Sequence, residues 1–304
     1  MGRGSYNASD WSKLRVQRNI NTQRSAEQLF TRSEVDSIYS SRSVGTRLSC
    51  DPEENAKATP IIIGFDVTAS MGYLAKELAT NSMHNVVTYL LSNEQISSPQ
   101  ILCSAIGDCK SDKNPLQVTQ FESDIRIMQQ LLSLHIEGGG GGNNGESYNL
   151  LWYFGDRHTI HDHYSKRDKK GYLFTIGDDR CHAKLDVDEI AKNFTSRSEY
   201  DISNEELLSR VSKRYNVFHI HIEKGIASDA SVFAQWQRLL PGNSTVIGIK
   251  DVNCLAELIA SIIFVTEGMS VNLALKQIDQ KKAERIARSM ALIQPSVKKN
   301  SISF

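Results

Sequence analysis

Residues 61–72 read IIIGFDVTASMG, and the fold turns on this stretch. Ile61, Ile62, Ile63 and Phe65 make a continuous apolar run, the pattern of a strand that a parallel sheet covers on both faces. The run stops at Asp66. Thr68 and Ser70 follow at alternate positions, where a helical pattern begins. One carboxylate and two hydroxyls gathered at a strand end suit a hard divalent cation. In open α/β sheets ligands sit outside the carboxyl ends of the strands, which puts such a cation at the mouth of the sheet.

Outward from this stretch, strand and helix patterns alternate. Leu74, Leu78, Val86, Val87, Leu90 and Leu91 recur at helical spacing and predict a long helix with one buried stripe. Residues 100–106 (QILCSAI) predict a second buried strand, ended by Gly107 and Asp108. A shorter, more polar strand over 116–121 and a helix over 123–134 come next. Five consecutive glycines, 138–142, then break the chain. They let the backbone approach a ligand closely and lead to Glu146 and Ser147, which open a helix carrying Tyr148, Leu151, Trp152 and Phe154. After a charged loop, a strand over 172–176 runs into Gly177, Asp178 and Asp179. A strand over 217–222, a helix over 232–240, a strand over 245–249 and a helix over 253–266 complete the series. Such alternation implies parallel crossovers, hence an α/β fold with one doubly wound, mostly parallel sheet and helices on both faces.

The flanks differ from this core. Residues 1–57 are polar, rich in Ser, Asn and Arg, with scattered anchors at Trp11, Leu14, Leu29, Phe30, Val35 and Ile38. They read as an extension with short helices near 26–30 and 33–39, lying over a main domain at 58–268 or docking a partner. Residues 269–304 set Lys276, Lys281, Lys282, Arg285, Arg288, Lys298 and Lys299 against Asp279 and Glu284, a basic helix and tail with a solvated face.

Composition narrows the function. The 304 residues hold 40% hydrophobic side chains, enough for a sizeable core, and 35 basic residues balance 35 acidic ones. No global field recruits nucleic acid or an anionic membrane. The five cysteines are scattered without a CxxC pair, which points to free thiols in a reducing compartment. With neither a signal-peptide core nor a run of eighteen apolar residues, a soluble, cytoplasmic protein without membrane contact is expected.

Three strand-end loops thus carry oxygen donors: Asp66, Thr68 and Ser70; Glu146 and Ser147; Asp178 and Asp179. The first loop, FDVTASM, resembles the Asp-x-Ser-x-Ser motif of the von Willebrand factor A (VWA) domain, with Thr in the first hydroxyl position. GGGGGNNGESY resembles the second loop of that family in its Glu-using variant, and LFTIGDD resembles the apolar strand that ends in Thr-Asp-Gly. The resemblance spans about 58–268 and implies an intracellular-type VWA domain with a metal-ion-dependent adhesion site (MIDAS). The implied ligands are Asp66, Thr68, Ser70, Glu146 and Asp178, holding Mg²⁺, with Mn²⁺ or Ca²⁺ as substitutes. Gly177 and Asp179 depart from the usual Thr and Gly around the third-loop Asp, which leaves Asn144 and Asp179 open as further donors. Mg²⁺ favours oxygen ligands and retained waters, so a sparse set without His or Cys suits it better than zinc.

The resemblance further implies a non-enzymatic scaffold or adaptor whose protein partner supplies a carboxylate to the metal, with MoxR-type AAA+ ATPases as one partner class. Two alternatives stand beside it. A Mg²⁺-dependent phosphotransferase or hydrolase using Asp66 would need a second Asp two residues on, where Thr68 stands. A nucleic-acid-associated scaffold would use the basic tail and the arginine-bearing arm, but aromatic interleaving there is poor. Taken alone, DVTASM also describes a strand ending in a helix cap.

Weaker signals remain. His158, His161 and His163 have a zinc-compatible spacing but no cysteine partners and read as solvated loop residues. His219 and His221 share one face of a strand, packed or hydrogen-bonded. The glycine run lacks the GK[ST] of a phosphate loop. Asp108 lies at another strand end, beside the site or capping a turn. Cys103 reads as a buried thiol and Cys109 as a loop thiol.

Overall fold

The computed structural model of the protein describes residues 4–53, 56–136 and 145–294. The glycine run and Asn144 lie outside them, as do Lys298 and Lys299. Six strands form the central sheet: β1 (Thr59–Asp66), β2 (Pro99–Ile106), β3 (Leu116–Val118), β4 (Gly171–Gly177), β5 (Tyr215–Glu223) and β6 (Ser244–Gly248). Their order is β6-β5-β4-β1-β2-β3. β1 pairs in parallel with β2 on one side and β4 on the other, and β4, β5 and β6 continue in parallel. The sheet is therefore wound in both directions from β1, and the switch point lies where β1 meets β4.

Side chains alternate across this sheet as the pleat requires. In β1, Ile61, Ile63 and Phe65 enter one core and Ile62 the other. Helix Leu255–Thr266, with eleven buried residues, fills much of the first core, and helix Tyr148–Arg157 fills the second. The second helix lies so close that a Cβ on Gly64 would stand 2.2 Å from Leu151 Cδ2, so glycine there sets the helix-to-sheet distance.

Several local expectations change in the fold. The strand expected over 116–121 is only three residues long and antiparallel, paired with β2 at the sheet edge. The long helix after Gly72 is a short 3₁₀ turn and two α-helices, Gly72–Glu77 and Met83–Leu91, joined by a π turn at Leu78–Ser82. Thr80 back-bonds to the Lys76 carbonyl at 2.9 Å, and Ser82 bonds Glu77 at the same distance, local competition of the kind that opens a helical turn.

The histidine loop is not solvated. His158, His161 and His163 are all buried, and Arg47–Ser49 of the N-terminal arm pairs in parallel with Thr159–His161. His158 bonds the Gly45 carbonyl at 2.9 Å and Ser196 Oγ at 2.7 Å, stacked between Phe154 and Phe194. Cys109 is likewise buried.

Both flanks pack onto the same body. Trp11 stacks on His84 with centroids 5.4 Å apart, and Leu14, Ile20, Leu29 and Phe30 join the first core. The arm also covers the short edge strand: Val118 N–H donates to the Tyr39 carbonyl at 2.8 Å, and Ser41 N–H to the Leu116 carbonyl at 3.2 Å. The tail forms helices Val271–Lys276 and Gln280–Ala291, and the second buries Ala283, Ile286 and Met290. Ser289 ties it to β6 by donating to the Val246 carbonyl at 2.5 Å. Three of its cations are engaged: Lys282 pairs with buried Glu257 at 2.7 Å, Arg285 with Asp251 at 2.6 Å and Arg288 with Glu223 at 3.4 Å. Among the described residues no helix is long and apolar enough to cross a membrane.

Candidate functional site

Asp66 ends β1 and is fully buried, which an isolated carboxylate tolerates poorly. Its Oδ1 accepts from Thr68 N–H at 2.8 Å and from the Thr68 hydroxyl at 2.7 Å, and its Oδ2 accepts from the Tyr148 hydroxyl at 3.3 Å. The Thr68 N–H bond to Asp66 is a local turn two residues on, and neither helical turn that follows, at Ala69–Met71 or Gly72–Glu77, has a side-chain cap, so the helix-cap reading of DVTASM is not what the structure shows. Burial pushes the Asp66 carboxyl well above the usual carboxylate range against these bonds, and the charge on Asp178 pushes the same way.

The second donor loop enters through Glu146, also buried. Glu146 does not begin the following helix. It bridges Cys181 in parallel, with its N–H on the Arg180 carbonyl at 2.7 Å and its carbonyl accepting from His182 N–H at 3.2 Å, and Ser147 precedes the helix at Tyr148–Arg157. Those bonds stitch the second loop to the third. The Glu146 side chain carries a buried Oε2 with no partner among the described residues. Burial raises its carboxyl far above the normal range, and repulsion from Asp66, then Asp108, adds to it.

Asp178 follows β4. It forms an ion pair with Lys224, which follows β5, and Lys224 Nζ also donates to Ser70 Oγ at 3.2 Å. Helix Asp229–Leu239 grips the rest of this loop: Trp236 Nε1 donates to the Asp179 carbonyl at 3.1 Å, and the Gln235 amide makes two 3.0 Å bonds with the Cys181 backbone. Asp179 turns back on its own chain, accepting from Arg180 N–H at 2.6 Å.

The structure therefore brings Thr68 directly onto Asp66, joins Ser70 and Asp178 through one ammonium, and puts Glu146 within electrostatic reach of Asp66. Among the described residues, no three His, Cys, Asp or Glu side chains gather closely enough to hold a metal by themselves. A Mg²⁺-type ion does not need that, since it keeps waters and takes hydroxyl oxygens. The donor set fits such an ion: all oxygen, fed by three loops, with two strained carboxyls and one buried carboxylate oxygen left without a partner.

Two features escaped the sequence reading. Tyr148 is fully buried, and its hydroxyl holds Asp66 while its ring lies edge-on to His219 and Trp236. Its place two residues after Glu146 was the available signal. Gly177, a departure from the family pattern, is a consequence of Tyr148: a Cβ there would stand 1.9 Å from the Tyr148 hydroxyl oxygen and 3.0 Å from Asp66 Cβ. Asp108, at the end of β2, holds a turn by accepting from Lys110 N–H at 3.1 Å and lies beside the second donor loop, with its Oδ1 2.7 Å from His182 Nε2 and 3.3 Å from Ser147 Oγ and its charge acting on Glu146. His219 stacks on Trp236 and meets Thr175 Oγ1 at 2.9 Å, whereas His221 has no hydrogen-bond partner among the described residues on either ring nitrogen.

No protein-family model matches the sequence, and no curated protein matches it. Among solved structures, the chain is similar to several at low identity. The pilus adhesin SpaC from Lactobacillus rhamnosus GG, in its open conformation, superposes with a TM-score of 0.48 at 12% identity, over 72% of this chain and 31% of that one. For the vWF domain of the type V pili tip protein Mfa5 from Porphyromonas gingivalis the TM-score is 0.44 at 8% identity, over 71% and 98% of the two chains. Proximal thread matrix protein 1 of the mussel byssus, solved with a zinc-occupied MIDAS motif, gives 0.42 at 11% identity, over 70% and 48%. The chain thus spans less than a third of the SpaC adhesin and about half of the byssus protein. With its sheet wound both ways from β1, a lone antiparallel strand at one edge and donor loops at the carboxyl ends of β1 and β4, the chain has a doubly wound, mostly parallel α/β fold, the architecture that the resemblance to the von Willebrand factor A domain implies.

Proposed function

We propose that the protein is an interaction module that binds a protein partner through a divalent cation, Mg²⁺ by preference, held at the carboxyl edge of its sheet. The observation that carries this reading is the pairing of the buried Asp66 carboxylate with the unpartnered Glu146 Oε2 at one strand edge. When bound, the cation would neutralise these acids and offer an open position to a carboxylate of the partner. The chain's own residues do the rest. Thr68 and Tyr148 fix the orientation of Asp66, and the Trp236 and Gln235 bonds hold the third loop in register with the second. Thr68 occupies the position where phosphotransfer through Asp66 would want a second acid, and its hydroxyl is spent on Asp66, which favours binding over catalysis. The engagement of the tail cations Lys282, Arg285 and Arg288 in ion pairs favours a protein partner over nucleic acid. A cytoplasmic scaffold or adaptor role, with an AAA+ ATPase as one partner class, extends the same reading.

Thermal unfolding with Mg²⁺ or EDTA tests it. At a hundred times its Kd a ligand specific to the folded state adds about 2.7 kcal/mol, roughly 5–10 °C for a chain of this size. The expected outcome is a rise of that order in the wild type and none in Asp66→Ala, with partner capture lost in the same variant. A wild type indifferent to Mg²⁺, Mn²⁺ and Ca²⁺ would remove the metal from the reading.

A further inference from the structure

We propose that the Lys224 ammonium is a built-in competitor for the cation site, so that a divalent ion binds only when this side chain swings away. The inference rests on the metal-dependent reading above and assigns that site its control. Lys224 directly follows β5, and its ammonium reaches across the edge of β4 to the loop after β1. There it pairs with Asp178 Oδ2 and donates to Ser70 Oγ at 3.2 Å. Ser70 and Asp178 come from different loops, and the ammonium is the group that spans them.

Both contacts use atoms that a metal would need. A divalent ion coordinated by Ser70 Oγ and reaching Asp178 would lie within a few ångströms of Nζ, where two cations repel each other strongly. The lysine is suited to leave. Its side chain is one-fifth exposed, its stem has four rotatable carbons, and Gly225 follows in a left-handed conformation at φ 79° with open space around it. A competitor in place nine-tenths of the time or more lowers apparent metal affinity about tenfold or more, because affinity scales with the competent fraction.

Calorimetric titration of Mn²⁺ into the full chain, comparing wild type with Lys224→Met and Lys224→Gln, tests the proposal. Folding of each variant is checked by circular dichroism. Both variants are expected to bind at least about tenfold more tightly than wild type. They should also melt below wild type in EDTA and gain more on adding Mn²⁺. In the wild-type protein itself, acetylation of Lys224 read by mass spectrometry should increase when Mn²⁺ is added, which keeps the test decisive if a variant misfolds. Equal affinities with unchanged Lys224 reactivity would overturn the competitor and leave the metal site standing. No Mn²⁺ binding by any of the three folded proteins would overturn both.

Discussion

At the scale of single residues, the two inner acids of the site, Asp66 and Glu146, are buried, while Asp178 stays partly exposed. Asp66 and Glu146 have carboxyls raised by burial, so the folded state holds protons that the unfolded chain has already released. Stability of the metal-free protein from these two groups is therefore highest at low pH and declines as pH rises above the unfolded carboxylate range. Asp66→Asn keeps an acceptor for Thr68 and removes the charge. Its melting temperature in EDTA should exceed that of wild type by roughly 2–4 °C per kcal/mol of relieved strain at pH 8, and the difference should fade toward pH 5. Equal melting temperatures at pH 8 would show that the acid is not strained. Buried neutral histidines act in the opposite sense: burial lowers His161 to about 3 and His163 to about 4, so protonation on acidification favours unfolding, and the wild-type/variant comparison separates the two effects. Gly177 is the other residue-scale determinant. Gly177→Ala drives a methyl into the Tyr148 hydroxyl and should cost roughly 1–3 kcal/mol in denaturant unfolding. Tyr148→Phe removes the atom in the way, so the double variant should lose less than the sum of the two single ones, a coupling that a double-mutant cycle reads directly.

At the scale of elements, the three donor loops are held together by backbone bonds rather than by the ligand side chains. The bonds among Glu146, Arg180 and His182 join the second loop to the third, and the helix at Asp229–Leu239 clamps the third from outside through Gln235 and Trp236. In the metal-binding reading proposed above, the site is thereby organised before any ligand arrives, which lowers the ordering cost of binding. Gln235→Ala removes both bonds to Cys181. It should weaken Mn²⁺ binding several-fold in titration while costing only about 1–2 kcal/mol in stability, whereas a loop held by other means would leave affinity unchanged. The tail helix at Gln280–Ala291 plays a different part, closing the first core below β6. Ile286→Ala should destabilise by roughly 2–5 kcal/mol and leave Mn²⁺ affinity unaltered in protein that remains folded.

At the scale of the whole molecule, the arm and the tail complete the body that the central sheet begins. The arm bonds to β3 and buries Trp11, Leu14 and Phe30 against the first core, so deleting residues 1–53 bares a strand edge and apolar surface together. The truncated protein is expected to self-associate in light scattering at concentrations where the full chain is monodisperse, because an open edge is a template for pairing. Much of this architecture was legible beforehand. Isoleucines at 61–63 announce a strand covered on both faces, and alternating strands and helices leave few topologies other than a doubly wound sheet. Asp66, Thr68, Ser70 and Asp178 lie at the ends of parallel strands, as the apolar runs that stop before them indicate. What stayed illegible depends on contacts between distant segments. Polarity made 158–163 look like a solvated loop, whereas distant segments, Arg47–Ser49 and 194–196 among them, pack against it and its histidines are buried. Nothing local to YNLLWYF aims a tyrosine hydroxyl at Asp66, and nothing local to IEKG sends an ammonium to Asp178 and Ser70. Periodicity and strand-end chemistry act within a few residues and so can be read along the chain. The partner of a buried charge is chosen by packing across more than eighty residues of sequence, between Tyr148 and Asp66, and packing exists only in the folded molecule.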